Sequence, residues 1–206
     1  MARYVDVHPV NPQARLITRI VERLREGALI AYPTSSGYAL GVTVGNLEGR
    51  TRMQQIRHLQ EGHHFTLLCR DFAQLGSVVF VSNAVFRSVK SATPGPYTFL
   101  LKATPEVPRR LSHPKKHTVG VRIPEDAFSQ ALLAELGEPL LTTTLILPGS
   151  QIPLVDGWVV KDELDHAVDI IVDTGECGTE PTTVVDLSGD EAEILRYGAG
   201  DASRFE

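Results

Sequence analysis

What this chain can fold into is limited most by the order of its apolar runs. Strand-length runs, "ALIAY" (28–32), "FTLLC" (65–69), "YTFLLKA" (97–103), "HTVGVRI" (117–123) and "PLLTTTLIL" (139–147), are interleaved with helical patterns. In the first helix Asn11 and Pro12 suit the N-cap and first helical position, and Leu16, Ile17, Ile20, Val21 and Leu24 recur on one face as far as Gly27. Further helices are predicted over 47–59, over "NAVFRSVKSAT" before "PGP" at 94–96, over "DAFSQALLAELG", and over "KDELDHAV". The chain then ends on three strand runs in succession, "DIIVD", "TTVVDL" and "AEILRY". Strand–helix–strand connections give parallel pairs and direct strand-to-strand connections give antiparallel ones. Together they predict a layered α/β domain with a mixed sheet rather than a purely parallel, doubly wound one. With no repeat, low-complexity tract or Gly/Ser linker, one domain over 1–206 is expected, with its core from about residue 8 to about residue 200.

The composition fits a globular protein that buries a full core, at 42% hydrophobic and 22% charged residues. No run approaches the ~20 apolar residues of a membrane span. The start, "MARYVDVHPVNPQ", has no apolar signal core, so a cytoplasmic location is expected. Cys69 and Cys177 are not spaced as a metal pair and read as buried free thiols. The net charge of −5 hides a segregation: residues 1–150 carry 17 Lys and Arg against 11 acids, and residues 151–206 carry 3 against 14. Such a chain either attracts an anion on one face or simply solvates both sets.

Phosphate loops of Walker type, G-x-G-x-x-G, nucleophile elbows and H-E-x-x-H are all missing from the sequence. His58, His63 and His64 cluster without an acidic or cysteine ligand at a usual spacing, so no metal site is expected. His113 and His117 flank Pro114 and read as a solvated loop. What remains is a set of element ends bearing hydroxyls and arginines. In "AYPTSSGYALG" the strand is expected to stop at Pro33, and Thr34, Ser35 and Ser36 either satisfy a turn or face a ligand. Arg57 ends a helix. Thr118, Gly120 and Arg122 alternate onto one face of a strand, as do Thr142 and Thr144. Thr182 and Thr183 open "TTVVDL" and Arg196 ends "EILR". Ligands in α/β sheets lie beyond strand ends, and arginine grips carboxylate or phosphate with paired donors. Singly, a threonine is more often a β-branched strand filler and an arginine a surface charge.

Six blocks in order, "NPQ", "YPTSSGYALG", "PGPYTFLLK", "TVGVRIP", "PTTVVDL" and "ILRYGAG", resemble the YrdC domain of threonylcarbamoyl-AMP synthases, and "GHHFTLLCRD" and "LPGS" resemble its YciO branch. The resemblance covers about residues 8 to 200 and implies a YrdC-like layered domain with a twisted mixed β-sheet and a concave cleft. Enzymes of this family join L-threonine, bicarbonate and ATP, used with magnesium, into threonylcarbamoyl-AMP for modification of tRNA adenosine 37. No tightly held metal is implied. By this resemblance Thr34, Arg122 and Thr142 face the amino-acid substrate, Arg122 taking its carboxylate. Arg57, Thr118, Thr144, Thr182 and Arg196 face the nucleotide. The chain departs from the synthases where they carry Lys-x-Arg and Ser-x-Asn; here the pairs read Arg57-x-Leu59 and Thr144-x-Ile146. Losing one phosphate-facing donor costs ~2–4 kcal/mol of transition-state stabilisation, which implies nucleotide binding with poor turnover. The YrdC fold also carries a basic concave face suited to double-stranded RNA or tRNA. Arg109, Arg110, Lys115 and Lys116, in the loop 104–117, are the residues that would meet such a partner. A fold kept without activity is the third alternative.

Overall fold

The computed structural model describes residues 1–59, 65–175 and 177–206. In chain order its elements are β1 (Arg3–Asp6), α1 (Ala14–Arg25), β2 (Ile30–Thr34), β3 (Gly37–Thr43), α2 (Leu47–Arg57), β4 (Thr66–Leu68), α3 (Phe72–Val78) and α4 (Asn83–Ala92). These are followed by β5 (Tyr97–Lys102), β6 (Thr118–Arg122), α5 (Ala127–Leu136), β7 (Leu140–Thr144), α6 (Gly157–Leu164), β8 (Ile170–Asp173), β9 (Thr183–Asp186) and β10 (Glu193–Arg196). The chain divides into two compact units, Met1–Glu61 with Asp126–Glu180 and Gly62–Glu125 with Pro181–Glu206. Both are α/β, and both mix parallel and antiparallel pairing, as the sequence predicts.

The first unit orders its strands β1-β8-β2-β3-β7. β8 runs parallel to β1 and to β2, whereas β2–β3 and β3–β7 are antiparallel. α1 buries Ile17, Ile20, Val21 and Leu24, each worth about 1.5–3 kcal/mol when fully removed from water, and packs on α5. α5 starts at Asp126, whose carboxylate accepts from Ser129 N at 2.7 Å, and stops at Gly137, at φ +78°. Its Phe128 ring meets Tyr32 of β2 at 6.0 Å.

In the second unit the order is β4-β6-β5-β9-β10. β4–β6 and β5–β9 are parallel, while β6–β5 and β9–β10 are antiparallel. α3 and α4 are capped by Asp71 and Ser82, and their Phe72 and Phe86 rings meet edge to face at 4.6 Å. Tyr97, Phe99 and Phe205 form an aromatic cluster under β5. Among the described residues no helix is long and apolar enough to cross a membrane.

Several boundaries differ from the sequence reading. Gln13, not Asn11, holds the N-cap position of α1, without a side-chain cap, because the His8 ring nitrogen accepts from Val10 N and Asn11 N and holds Asn11 ahead of the helix. β2 runs through Pro33 to Thr34 instead of stopping. A proline is tolerated there because β8 lies beside β2 only at Ile30 and Ala31 among the described pairs, leaving that edge free at Pro33. α6 spans Gly157–Leu164 rather than 161–168, because Asp156 caps it through Trp158 N and Val159 N. Cys69 is buried as expected, but Cys177 is only half-buried.

Candidate functional site

The "YPTSSGYALG" stretch is a tight hairpin. Thr34 of β2 pairs with Gly37 of β3, and only Ser35 and Ser36 lie between them. Gly37 sits at φ +90°, and a Cβ there would lie 2.4 Å from Pro153. The Thr34 hydroxyl donates to Gly37 O at 2.7 Å and accepts from Ser36 N at 3.1 Å, so part of this hydroxyl row is turn chemistry. The same threonine lines a cavity of about 190 Å³ with Ser35, Asp126, Phe128, Thr174 and Cys177. Gly178 closes its floor: Gly178 N donates to Thr34 O at 3.2 Å, and a Cβ on Gly178 would fall 1.8 Å from Ser35 O. The Cys177 thiol donates to Val155 O at 3.2 Å, and burial, then the nearby Asp173 carboxylate, push it up to about 11.

Register decides which other residues of the first unit accompany Thr34. Tyr32 and Thr34 stand opposite Ala39 and Gly37, and Ala39 and Gly41 stand opposite Thr144 and Thr142. Thr34, Thr142 and Thr144 therefore share a sheet face, as alternation predicts for the last two. Thr142 is buried, its hydroxyl donating to Leu40 O at 2.9 Å and accepting from the Tyr32 hydroxyl at 2.8 Å. Arg57 ends α2, where His58 turns left-handed at φ 49°. Its guanidinium donates to the Thr143 hydroxyl and, at 3.4 Å, to Ile146 O, and burial lowers its pKa below that of a free arginine. Thr143 pairs with Leu40, so this contact lies on the face opposite Thr34, Thr142 and Thr144.

The second unit gathers its predicted residues more fully. On β6, Thr118 and Gly120 stand opposite Lys102 and Leu100 of β5, and the same register sets Arg122 opposite Thr98. Thr98 is level with Val184 of β9, which is level with Arg196 of β10 beyond a register shift between Ile194 and Arg196, so the side of Arg196 is fixed by its contact with Thr182. Thr182 lies two residues before Val184 and falls on the same side. Thr118, Arg122, Thr182 and Arg196 thus occupy one face. Gly120 leaves that face low between Thr118 and Arg122, since a Cβ would come within 3.1 Å of the Thr66 hydroxyl of β4. Arg122 is 8% exposed. Arg196 donates through Nε to Thr182 O and through the terminal Nη2 to the Thr182 hydroxyl, both at 2.9 Å. That hydroxyl in turn meets Thr98 at 2.9 Å, giving a chain of three side chains, and burial lowers the Arg196 pKa. Thr183, on the other face, donates to Gly200 O at 2.6 Å and accepts from Gly198 N, folding the segment after β10 back on β9.

The basic loop of this unit is ordered. Arg109–Leu111 forms a short 3-10 turn that buries Leu111 and leaves both arginines exposed. The His113 ring nitrogen accepts from Lys115 N and Lys116 N at 3.1 and 3.0 Å. Lys116 reaches the buried Asp186 carboxylate at 3.8 Å. His63 and His64 lie outside the described residues. Among the described residues no three His, Cys, Asp or Glu side chains gather as for a metal.

Sequence reasoning missed Thr143, Thr98, Asp126 and Cys177. The alternation of Thr98 with Leu100 along "YTFLL" was legible, but its place opposite Arg122 comes from the register of β5 on β6. Asp126 and Cys177 reach the Thr34 cavity only through the fold.

The Sua5/YciO/YrdC family, described as telomere recombination, matches residues 22–198. The chain is 48% identical to the YciO protein of Escherichia coli K12 over 205 residues, covering all of both chains, and the crystal structure of E. coli YciO superposes with a TM-score of 0.96. A threonylcarbamoyl-AMP synthase of Chromobacterium violaceum is 33% identical over 144 residues, 69% of this chain and 74% of that one. Sua5 of P. abyssi, crystallised with L-threonine, shares the fold at a TM-score of 0.86 and 23% identity, over 95% of this chain and 57% of its own. With the family pattern spanning most of its length, the chain belongs to the Sua5/YciO/YrdC family.

Proposed function

We propose that this protein binds ATP or an adenylate together with L-threonine, as a YciO-branch relative of the threonylcarbamoyl-AMP synthases with weakened turnover. The observation that carries this reading is the one sheet face of the second unit holding Thr118, Arg122, Thr182 and Arg196. Two guanidinium groups and two hydroxyls on a single face suit a multiply charged anion, with fork-shaped donors for phosphate or carboxylate and short neutral contacts beside them. In the first unit, the cavity at Thr34 suits the amino acid. At about 190 Å³ it falls below the ~300–1,000 Å³ of a drug-sized ligand site, and a hydroxyl, a carboxylate and an aromatic ring line it. The synthase of C. violaceum, by its name, makes threonylcarbamoyl-AMP, which favours this ligand pair over other small molecules.

Weak turnover follows from Leu59 and Ile146, where the synthases hold an arginine and an asparagine. The test is to incubate the protein with ATP, L-threonine, bicarbonate and magnesium and to look for threonylcarbamoyl-AMP by mass spectrometry, with calorimetric titration of each ligand alongside. Saturable binding of ATP and L-threonine with slow product formation supports the reading. Binding of neither overturns it.

A second reading, double-stranded RNA or tRNA binding, is favoured by the four exposed cations at Arg109, Arg110, Lys115 and Lys116. Residues 62–125, where they lie, carry nine Lys and Arg against three acids. Phosphate contacts release counterions, so affinity should fall with salt, and replacing all four cations by alanine should flatten that slope by up to about four counterions while leaving ATP binding unchanged. RNA affinity equal in parent and variant across the salt series removes this reading.

A further inference from the structure

We propose that the outward face of α6, built on the stacked pair Tyr4–Trp158, is a docking surface for an arginine- or lysine-bearing segment of a partner protein. Trp158 is 62% exposed, yet its ring is held 4.6 Å from that of Tyr4 at an interplanar angle of 19°. The Tyr4 hydroxyl donates to the Asp173 carboxylate, which fixes the tyrosine from below. Gly157 makes room for this arrangement, since a Cβ there would lie 2.6 Å from the Tyr4 hydroxyl and 2.7 Å from that of Tyr38. One face of the indole is thus spent on Tyr4 and the other is left to solvent, with Val155 and Val159 exposed beside it. Trp158, Val155 and Val159 together make an exposed apolar patch rather than a singly exposed side chain, and such a patch rimmed by polar residues marks an interaction site.

The occupant is set by charge. Asp156 is exposed at the start of α6, where it caps Trp158 N and Val159 N, and Asp6 follows Tyr4 on the same face of β1. Asp162 and Glu163 are exposed further along the helix. Arg3, the nearest arginine in sequence, projects from the other face of β1, and Lys161 is tied to Asp165 at 2.6 Å. The first unit as a whole, Met1–Glu61 with Asp126–Glu180, carries sixteen acids against nine Lys and Arg. An indole face rimmed by carboxylates attracts a guanidinium or ammonium group by cation–π and Coulomb attraction together. It repels an anionic lipid surface, and it repels its own copy across a two-fold axis, where acid would meet acid. A cationic segment of another protein is the occupant that satisfies both the ring and the rim.

Trp158 is the chain's single tryptophan, so its emission reports on this surface alone. The experiment titrates the full chain with a hexa-arginine peptide and follows Trp158 emission across a salt series, with a hexa-glutamate and a neutral Gly/Ser peptide as comparisons. Saturable quenching by the arginine peptide only, weakening as salt rises, is expected. A labelled peptide then gives affinity by anisotropy for Asp6→Asn/Asp156→Asn, in which asparagine keeps the helix cap, and for Trp158→Ala; each should bind about fivefold more weakly. Circular dichroism confirms that both variants fold. Arginine-peptide affinity unchanged in both variants would overturn the proposal, because the peptide would then lie elsewhere on the acidic surface. So would equal binding of the neutral peptide, adsorption to anionic vesicles through Trp158, or concentration-dependent self-association that shifts Trp158 emission without any peptide.

Discussion

Arg57 in the first unit and Arg196 in the second are held alike and placed differently. Each ends a regular element, each donates to a threonine hydroxyl and a backbone carbonyl, and burial lowers the pKa of each. The hydroxyl that Arg57 meets, on Thr143, lies on the face away from Thr34, Thr142 and Thr144. The hydroxyl that Arg196 meets, on Thr182, lies on the face that also carries Thr118 and Arg122. The same staple therefore grips a threonine turned away from Thr34, Thr142 and Thr144 in one unit, and a threonine turned the same way as Thr118 and Arg122 in the other. A side chain's type and its element end do not by themselves say which role it takes; the register of the strand it grips does.

The largest effects should come from the glycines that let each unit's segments close. In Gly178→Ala the new Cβ meets Ser35 O at 1.8 Å, and in Gly198→Ala it meets Pro181 O at 2.2 Å. Both neighbours are backbone and cannot step aside, so each substitution should cost ~3 kcal/mol or more. Thermal unfolding checks this, and ligand titration separates the units. Gly178→Ala should abolish L-threonine binding through the Thr34 cavity, whereas Gly198→Ala should first impair nucleotide binding. Equal loss of both ligands in both variants would erase the distinction between the units.

Next come the arginines themselves. Arg57→Ala leaves a buried hydroxyl and a carbonyl without their charged donor and should cost about 2 kcal/mol, with ATP affinity changed less than stability. Arg196→Ala should cost less stability and lower ATP affinity about tenfold, since a hydrogen bond to a charged group is worth ~1.5–3 kcal/mol. Denaturant midpoints and calorimetry measure the two quantities, and a reversed ranking would place the donor array on the other arginine.

The elements that were legible in the sequence are those whose signals are local. α5 announced itself through the Asp126 cap and the Gly137 stop, and β6 through the alternation of Thr118, Gly120 and Arg122. β1 was missed because Arg3–Asp6 is a short edge strand whose burial is set by its neighbour β8. β3 was missed because "SSG" reads as an exit from a strand, whereas the two serines and Gly37 reverse the chain in place. α6 was displaced because Gly157 reads as a breaker, and only the crowding of Tyr4 and Tyr38 shows why a glycine belongs in its first turn. For the site, face sharing along one strand was readable, but the grouping of Arg122 with Arg196 runs through β5, β9 and β10 and needed the sheet order.

A smaller effect is expected from restoring the synthase residues in the unit where Arg57 braces the strand. Leu59→Arg with Ile146→Asn adds a cation and an amide beside that staple. If the departures limit turnover, threonylcarbamoyl-AMP formation should rise about tenfold, a gain of ~1.4 kcal/mol, with ATP affinity nearly constant. Ile146 accepts from Arg57 through its backbone carbonyl, which the substitution retains, so the staple survives. No gain in a folded double variant would locate the limit elsewhere.

The mildest probe of the comparison uses the two thiols, one in each unit. Cys69 of the second unit is fully buried, and burial, then Asp71, push it up to about 12. Cys177 of the first unit lines the Thr34 cavity and is pushed up to about 11. A raised thiol pKa means that the folded state holds its proton more tightly than the unfolded chain. The stabilisation is therefore complete below the free-thiol value of ~8.5 and fades as pH climbs toward the folded values. At pH 8 the thiolate fraction of Cys177 is lower than that of a free cysteine by roughly 200-fold, and the greater intrinsic nucleophilicity of a more basic thiolate returns about tenfold of that. Cys177 should thus react with an aromatic disulfide reagent roughly 20-fold more slowly than glutathione, with a rate that keeps rising past pH 9. Cys69 should not react until the second unit opens. L-threonine should slow the Cys177 reaction further by filling the cavity beside it, and ATP alone should not. Protection of Cys177 by ATP but not by L-threonine would reverse the assignment of ligands to the two units.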